Sequence, residues 1–411
     1  MAITSQELGR RIRAAREASR ITQEAVAKHL GLSRPTVVQL EAGNRGVSSL
    51  ELDKLAYLFG RDLREFMADS FEESDTFAAL FRAQPEVLEQ PDVMKALRDC
   101  KALGHELTNL ERLVGIDRDS GAVASYPIPL PATRWEAIQQ GKRLAEEERR
   151  RLGLGSAPLP DLAELLETQG VRTGVVELPD DISGLMLSEK NVGLFVVANR
   201  RHAYTRCRFS LAHEYAHVVA DRARVGLVSR ASQRDDLAEV RANAFAANFL
   251  MPESGVRQFV AGLGKGKPSR GYAEVFDEAE SLAAEGRAEP GSQLVQLYDV
   301  AQLAHYFGVS RVATLYRLWN LRLVTEAEFE KLKMDDLSKG PQVAELLGLP
   351  DPDDSSPSSD LRHRLLGLAL EAYRREEISR SKLNELGAMV GVAAEKIESL
   401  IADSSFGRAS D

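Results

Sequence analysis

His213 and His217 stand four residues apart, with Glu214 beside the first, in the run CRFSLAHEYAH from Cys207 to His217. The run predicts a helix. Residues i and i+4 of a helix share one face, so both imidazoles reach a single cation. Glu214 is the neighbour placed to hold a water beside that cation and to act as general base. A catalytic site of this kind needs a third protein ligand and an open position for water. A second helix predicted over Asp235–Met251 offers one: Glu239, Ala242, Asn243, Ala246 and Leu250 fall on one stripe of it. The two alanines allow close approach to the first helix, and Glu239 faces the cation from the N-terminal end. The competing acids are Asp235 and Asp236, a turn earlier and read as solvated. The alternative is a pair of structural histidines. His29, His105, His202, His305 and His363 have no metal partner at suitable spacing. Cys207 lies off the face of His213, which argues against a thiol switch.

The surrounding elements must hold these side chains in place. Helices are predicted over Ala132–Leu152 and Leu159–Gln169. Short β-rich runs follow at Val171–Val176, Gly184–Leu187 and Gly193–Ala198, and helices at Arg206–Arg222 and Asp235–Met251, the last stopped by Pro252. The strand Gly193–Ala198 is either an edge that aligns an extended substrate by β-addition or a buried member of the sheet. For stabilising an oxyanion, His202, Tyr204 and Arg206 are candidates by proximity in sequence alone.

The segments GLFVVANRRHAYTRCRFSLAHEYAH and EVRANAFAANFLMP resemble the ImmA/IrrE-type metallopeptidase family, and the resemblance runs from about Ala132 to Pro252. It implies a zinc-dependent, gluzincin-like site that hydrolyses peptide bonds, with His213, His217 and Glu239 as metal ligands and Glu214 as base. The donor set favours zinc and also accepts manganese or another divalent ion. Tyr215-Ala216 stands where the family commonly has Leu-Gly. Arg241 replaces a frequent second glutamate and so removes one alternative ligand. Stand-alone relatives, by the same resemblance, cleave a separate helix-turn-helix repressor and induce genes after stress.

A second signal lies near the N-terminus, in TQEAVAKHLGLSRPTVVQLEAGNRG from Thr22 to Gly46. Thr22 caps a helix ending at Gly31, and Ser33 caps the next, with Pro35 in its first turn. Two short helices joined by a tight turn containing glycine make a helix-turn-helix unit. Its expected core is Leu8, Ile12, Val26, Leu30, Leu32, Val37, Leu40, Leu55 and Leu58. Over residues 7–66 the chain resembles the XRE/Cro-type family. The resemblance implies that Arg34, Pro35, Val38 and Gln39 face base edges, while Gln23, Asn44 and Arg45 lie near phosphates. Arg and Gln are the side chains that make bidentate base contacts. One such head covers one half-site of double-stranded DNA, so a homodimer is expected. The stripe Val93, Leu97, Cys100, Gly104, Leu107, Leu110 and Val114 is either a dimer seam or an intramolecular packing face.

Charge supports this division. Residues 1–66 carry eleven Lys and Arg against eight acids, +3, which leaves −12 for the rest of a chain whose net charge is −9. An anionic partner is thus expected for the head alone. The 411 residues suit several domains: a helix-turn-helix domain at 1–68, a helical connector and Pro/Gly linker at 69–131, and a metallopeptidase core at 132–260. A helical subdomain at 261–350 and a linker with a C-terminal helical segment at 351–411 follow. Within these, residues 264–292 have little pattern, helices resume over 293–335, and the last helical stretch is 361–402. The unit Leu303–Leu318 reads helix–Gly–Ser–helix and is taken as packed rather than as a second DNA reader. The fold class is multidomain: an all-α head, an α+β gluzincin-like core with a small sheet, and mostly helical C-terminal subdomains. Two cysteines, no apolar segment at MAITSQELGRR and no membrane-length apolar run point to the cytoplasm. The function expected is a transcriptional regulator whose zinc endopeptidase cuts a repressor in trans or its own linker at 115–131. The alternative is a non-catalytic, metal- or ligand-responsive switch in which the same body serves as sensor and dimerisation platform.

Overall fold

A computed structural model describes residues 3–402, except 62, 70, 72–90, 117–122, 160, 190–192, 223–225, 231–234, 266–270, 277–280, 287–292, 351–352 and 354–360. Most of the first part of the helical connector expected from residue 69, the middle of the 115–131 linker and most of the linker expected from residue 351 fall outside the described residues.

Among the described residues the head has five helices, α1 (Ser5–Ala18), α2 (Gln23–Leu30), α3 (Arg34–Glu41), α4 (Ser49–Phe59) and α5 (Leu63–Met67). The Thr22 hydroxyl accepts from Ala25 N and the Ser33 hydroxyl from Thr36 N, while Gly31 ends α2 in the left-handed region at φ 68°. Ile12, Val26, Val37, Leu40, Leu55 and Leu58 form the buried centre with Phe59 and Phe66, and Leu8 and Leu30 pack at its margin. Leu32 departs from expectation: it sits half-buried in the turn between α2 and α3, outside that cluster. Buried Glu41 ties the head together, accepting from Arg16 Nε at 2.6 Å and Gln23 Nε2 at 2.9 Å.

Helix α6 (Pro91–Leu113) follows. Its stripe is buried within this chain: Val93, Leu97, Cys100, Leu107, Leu110 and Val114 share one cluster with the C-terminal helix α15 (Leu361–Arg374). The seam read as a possible dimer contact is therefore spent internally, because α15 offers Leu361, Leu365, Ala369 and Ala372 to the same stripe.

The body is built on a four-stranded sheet of β1 (Val171–Val176), β2 (Ile182–Glu189), β3 (Gly193–Asn199) and β4 (Gly226–Arg230), in the order β1-β3-β2-β4. β1 runs parallel to β3, and β2 is antiparallel to both β3 and β4. Period-two alternation sends successive side chains to opposite faces. Leu194, Val196 and Ala198 enter one core, Phe195 and Val197 the other. Helices α7 (Arg134–Arg151), α8 (Leu162–Thr168), α9 (Tyr204–Ala220), α10 (Leu237–Leu250) and α11 (Glu253–Gly262) contribute to the first core, with α12 (Leu297–Phe307), α13 (Arg311–Asn320) and α14 (Glu326–Leu346). Helices α15 (Leu361–Arg374), α16 (Arg380–Met389) and α17 (Ala394–Ala402) join α6 on the second. The Leu303–Leu318 unit is packed as expected, with Leu303, Phe307, Leu315 and Leu318 in the first core. Between α11 and α12 lies an antiparallel hairpin, β5 (Gly271–Phe276) with β6 (Ser281–Gly286), where no element was predicted. The second strand, SLAAEG, has the weak β-propensity of alanine and glutamate and no clear alternation.

Helices α7 and α10 touch backbone to backbone at Gly141. A Cβ there would lie 2.9 Å from Phe245 N and closer still to the Arg241 carbonyl oxygen. Intrinsic propensity favours alanine over glycine in a helix by about 1 kcal/mol. The overlap outweighs it, since forcing a methyl into a close-packed core costs up to about 3 kcal/mol and here strikes main chain. Gly141→Ala is expected to lower the thermal midpoint of the body by several degrees, measured by calorimetry; a higher midpoint would mean that the helices can separate freely.

Candidate metal centre and DNA-reading face

Helix α9 carries His213, Glu214 and His217, and α10 crosses it with Ala242 and Ala246 buried at the contact. The start of α9 has no cap of its own; Asp353 Oδ1, from far along the chain, accepts from Thr205 N at 2.8 Å. The approach of α10 brings Glu239 to the two histidines. His213 Nε2 lies 3.0 Å from Glu239 Oε2, His217 Nε2 lies 3.3 Å from Glu239 Oε1, and the two Nε2 atoms are 3.3 Å apart. All three side chains are buried. Among the described residues theirs is the one group of His, Cys, Asp or Glu side chains whose ligand atoms converge within 4.8 Å. Asp235 is instead exposed and paired with Arg134, and Asp236 caps α10 through Ala238 N.

The other ring nitrogens are committed elsewhere. His213 Nδ1 donates to Asn243 Oδ1 at 3.0 Å, and His217 Nδ1 to Asp221 Oδ2 at 2.9 Å. Asp221 in turn accepts from Arg241 Nη2 at 2.6 Å. These partners present both Nε2 lone pairs toward the same point. Two lone pairs 3.3 Å apart beside a carboxylate repel unless a cation lies between them, so the donor set fits a divalent metal. In its absence a proton takes that role: burial works against a charged His217, but the hydrogen bonds and charges of Asp221 and Glu239 prevail and hold its pKa up at about 10. Glu239 is driven the other way, its carboxylate held far below the usual range by the two imidazoles despite its burial.

Glu214 is fully buried, and neither of its oxygens has a hydrogen-bond partner. Burial, helped by the Glu239 carboxylate, pushes its pKa up to about 7, against the pull of the two histidines. It lies against β2 at Gly184, where a Cβ would stand 2.9 Å from Glu214 Oε1. A buried, unpartnered carboxyl beside such a cluster is a proton acceptor in want of a donor.

Of the two readings of Gly193–Ala198, the sheet bears out the buried one. β3 is central, with β1 and β2 on either side, because its side chains are apolar in both directions. Among the described residues β4 pairs only with β2, and its Ser229 hydroxyl lies 3.2 Å from His213 Nε2. The oxyanion candidates are also misplaced. Tyr204 and Arg206 lie about 10–14 Å along α9 from His213 at 1.5 Å per residue. The His202 ring turns to the Asp180 carbonyl at 3.3 Å.

On the head, Arg34, Pro35, Val38 and Gln39 are exposed together on α3. Asn44 is exposed and donates to Gln39 Oε1 at 2.9 Å, which orients the Gln39 amide. Gln23 is half-buried and bonded to Glu41, and Arg45 is paired with Glu51 at 2.8 Å. Asp221, Asn243, Ser229 and Gly184 were absent from the sequence-derived site. Two had a signal there: Asn243, four residues beyond Glu239 on its inward stripe, and Asp221, four residues beyond His217 on the same helix face.

Two family models match the chain. One is a helix-turn-helix domain over residues 7–67; the other is the IrrE N-terminal-like domain of the M78 peptidases over residues 177–319, which contains the whole His–His–Glu cluster. No curated protein matches. Among the described residues no helix is long and apolar enough to cross a membrane.

Proposed function

We propose that this chain, which joins a helix-turn-helix domain to an IrrE N-terminal-like peptidase-family domain, is a DNA-binding regulator that cuts a protein substrate with a zinc-dependent site. The observation that carries the reading is the meeting of His213, His217 and Glu239 beside the orphaned, buried Glu214. His213 Nε2, His217 Nε2 and a Glu239 oxygen would hold the metal. Zinc in that position would supply Lewis acidity, polarising a scissile carbonyl and acidifying a water. Glu214 takes the proton of the attacking water and returns it to the leaving amine. Asp221 and Asn243 keep the imidazole tautomers fixed. β4, the strand next to His213, aligns the substrate by main-chain pairing.

The substrate is a separate protein rather than this chain's own linker. Residues 123–126 lie beside the end of α9 on the side away from the imidazoles: Tyr126 N donates to the Val219 carbonyl at 2.8 Å, and Tyr126 and Tyr215 hydroxyls both donate to Glu148. Tyr215 and Val219 follow the two histidines by two residues each, about 200° round the helix. Arg222 further pins the linker through the Val123 and Ala124 carbonyls. The head reads an operator with Arg34, Pro35, Val38 and Gln39, one half-site per subunit of a homodimer, with Asn44, Arg45 and Gln23 near phosphates.

Incubating the zinc-loaded chain with candidate repressors, and reading new termini by mass spectrometry, tests hydrolysis. Absence of any new terminus would leave the second reading, a metal-responsive switch, for which the complete burial of Glu214 speaks. The DNA arm is independent. Arg34→Ala is expected to weaken operator binding by about 1–3 kcal/mol, roughly 5- to 150-fold in a gel shift, with little change in non-specific binding. An unchanged affinity would remove α3 as the reading helix.

A further inference from the structure

A groove of about 720 Å³ runs along the outer side of α10 and is lined in part by Asn243, the residue that holds His213 Nδ1. Its floor is the small-residue stripe Val240, Ala244 and Ala247, and one wall is the α7 face of Ile138, Gln139 and Lys142. Trp135, 71% exposed, stands one turn earlier on that same face. The groove is basic in a chain that is acidic overall. Arg134, Lys142, Arg257, Arg317 and Arg322 line it, and Glu253 is its one acid, already shared between Lys142 at 2.6 Å and Arg257 at 2.8 Å. Arg317 is only 7% exposed, and its hydrogen bonds go to neutral acceptors, Asn248 Oδ1 at 2.7 Å and the Met251 carbonyl at 2.9 Å. The carboxylates of Glu253 and Glu146 act on it through space without a hydrogen bond, so its guanidinium gains from direct pairing with an arriving anion.

We propose that this groove binds an acidic segment of the protein substrate, immediately to one side of the bond to be cut. The inference rests on the peptidase reading above and adds a substrate class to it. The stretch of α10 from Asn243 to Asn248 spans about 8 Å at 1.5 Å per residue. An extended peptide covers that in two to three residues at about 3.3 Å each. Asp or Glu within about four residues of the cut therefore meets Lys142, Arg317 or Arg322, while Ile138 and Trp135 offer an apolar anchor. A basic groove also suits nucleic acid, but Asn243, which lines it, also holds the ligand-helix residue His213 through Nδ1, so the groove flanks the helix that carries Glu239 and favours peptide.

The full-length, zinc-loaded chain is incubated with a proteome-derived peptide mixture, and cut sites are read by mass spectrometry. Asp and Glu are expected to be enriched at least threefold within four residues on one side of the cut. Arg322→Glu is expected to erase that enrichment and raise KM for acidic peptides about tenfold with kcat held, Arg322→Lys to restore it, and Lys142→Gln to act in the same direction. A second arm uses the Glu214→Gln chain and a fluorescein-labelled peptide of alternating Glu and Leu. Binding is expected to weaken about tenfold in Arg322→Glu and with rising salt. Cuts without acidic preference, or acidic-peptide binding that neither variant alters, overturn the proposal. So does a result in which the variants weaken operator binding instead. Groove-dependent binding by a chain that cuts nothing would uphold the groove and reject the hydrolytic reading.

Discussion

Glu214→Gln is expected to lower peptide hydrolysis by about 10²- to 10⁴-fold, the usual contribution of a positioned general base, with metal content unchanged. The substitution keeps size and shape, which matters here because Gly184 leaves only enough room for the native side chain. It removes the proton acceptor and nothing else, since Glu214 is not one of the converging ligand groups. It also replaces an orphaned buried carboxyl with a neutral group, so the protein is expected to be at least as thermally stable as the wild type. Three measurements on one variant therefore separate the roles: turnover falls, elemental analysis is level, and the melting temperature holds. Turnover equal to wild type would show that the cuts come from another enzyme in the preparation. Loss of metal together with turnover would assign Glu214 to the metal shell.

The reach of the sequence follows from how local each feature is. His213 and His217 were legible because one helix face decides their meeting, and Glu239 because the alanine stripe of α10 fixes which side packs inward. Arg34, Pro35, Val38 and Gln39 fall on one exposed face for the same reason. The stripe on α6 was ambiguous by nature: periodicity reports that a face is apolar, not whether another chain or α15, roughly 270 residues later, covers it. Whether β3 is an edge or a buried strand was open on the same ground, because strand order depends on pairings distant in sequence, and β4 is a five-residue run with little signal. Asp221 is a different case. Its spacing from His217 repeats the i, i+4 rule that identified the ligands, but a lone aspartate at a helix end reads as solvated until Arg241 is seen beside it. Arg241, read from sequence as a lost ligand, is buried and serves to hold the carboxylate that holds His217.

That chain from Arg241 through Asp221 to His217 carries the other large expectation. A ligand that binds the folded chain alone at a thousandfold over its dissociation constant stabilises it by about 4.1 kcal/mol. Stripping metal from the wild type by chelation is therefore expected to lower unfolding stability by about 4 kcal/mol under such loading. Asp221→Asn keeps the shape of the side chain but weakens the pull on the His217 Nδ1 proton, and so lowers the basicity of Nε2. Loss of such a partner typically costs 10- to 100-fold in metal affinity. At the same metal concentration the chelation-sensitive part of the stability then shrinks by about 1.4–2.7 kcal/mol, since each factor of ten is about 1.4 kcal/mol. Denaturant titration with and without chelator reads this difference directly, and competition with a metal-binding dye gives the affinity independently. The paired design matters because Asp221→Asn also leaves the buried Arg241 guanidinium without its carboxylate, which destabilises the metal-free chain by itself. Only the difference between the two titrations belongs to the metal. Should that difference match the wild type, Asp221 would be a purely structural partner of Arg241, and the orientation of His217 would have to come from helix packing alone.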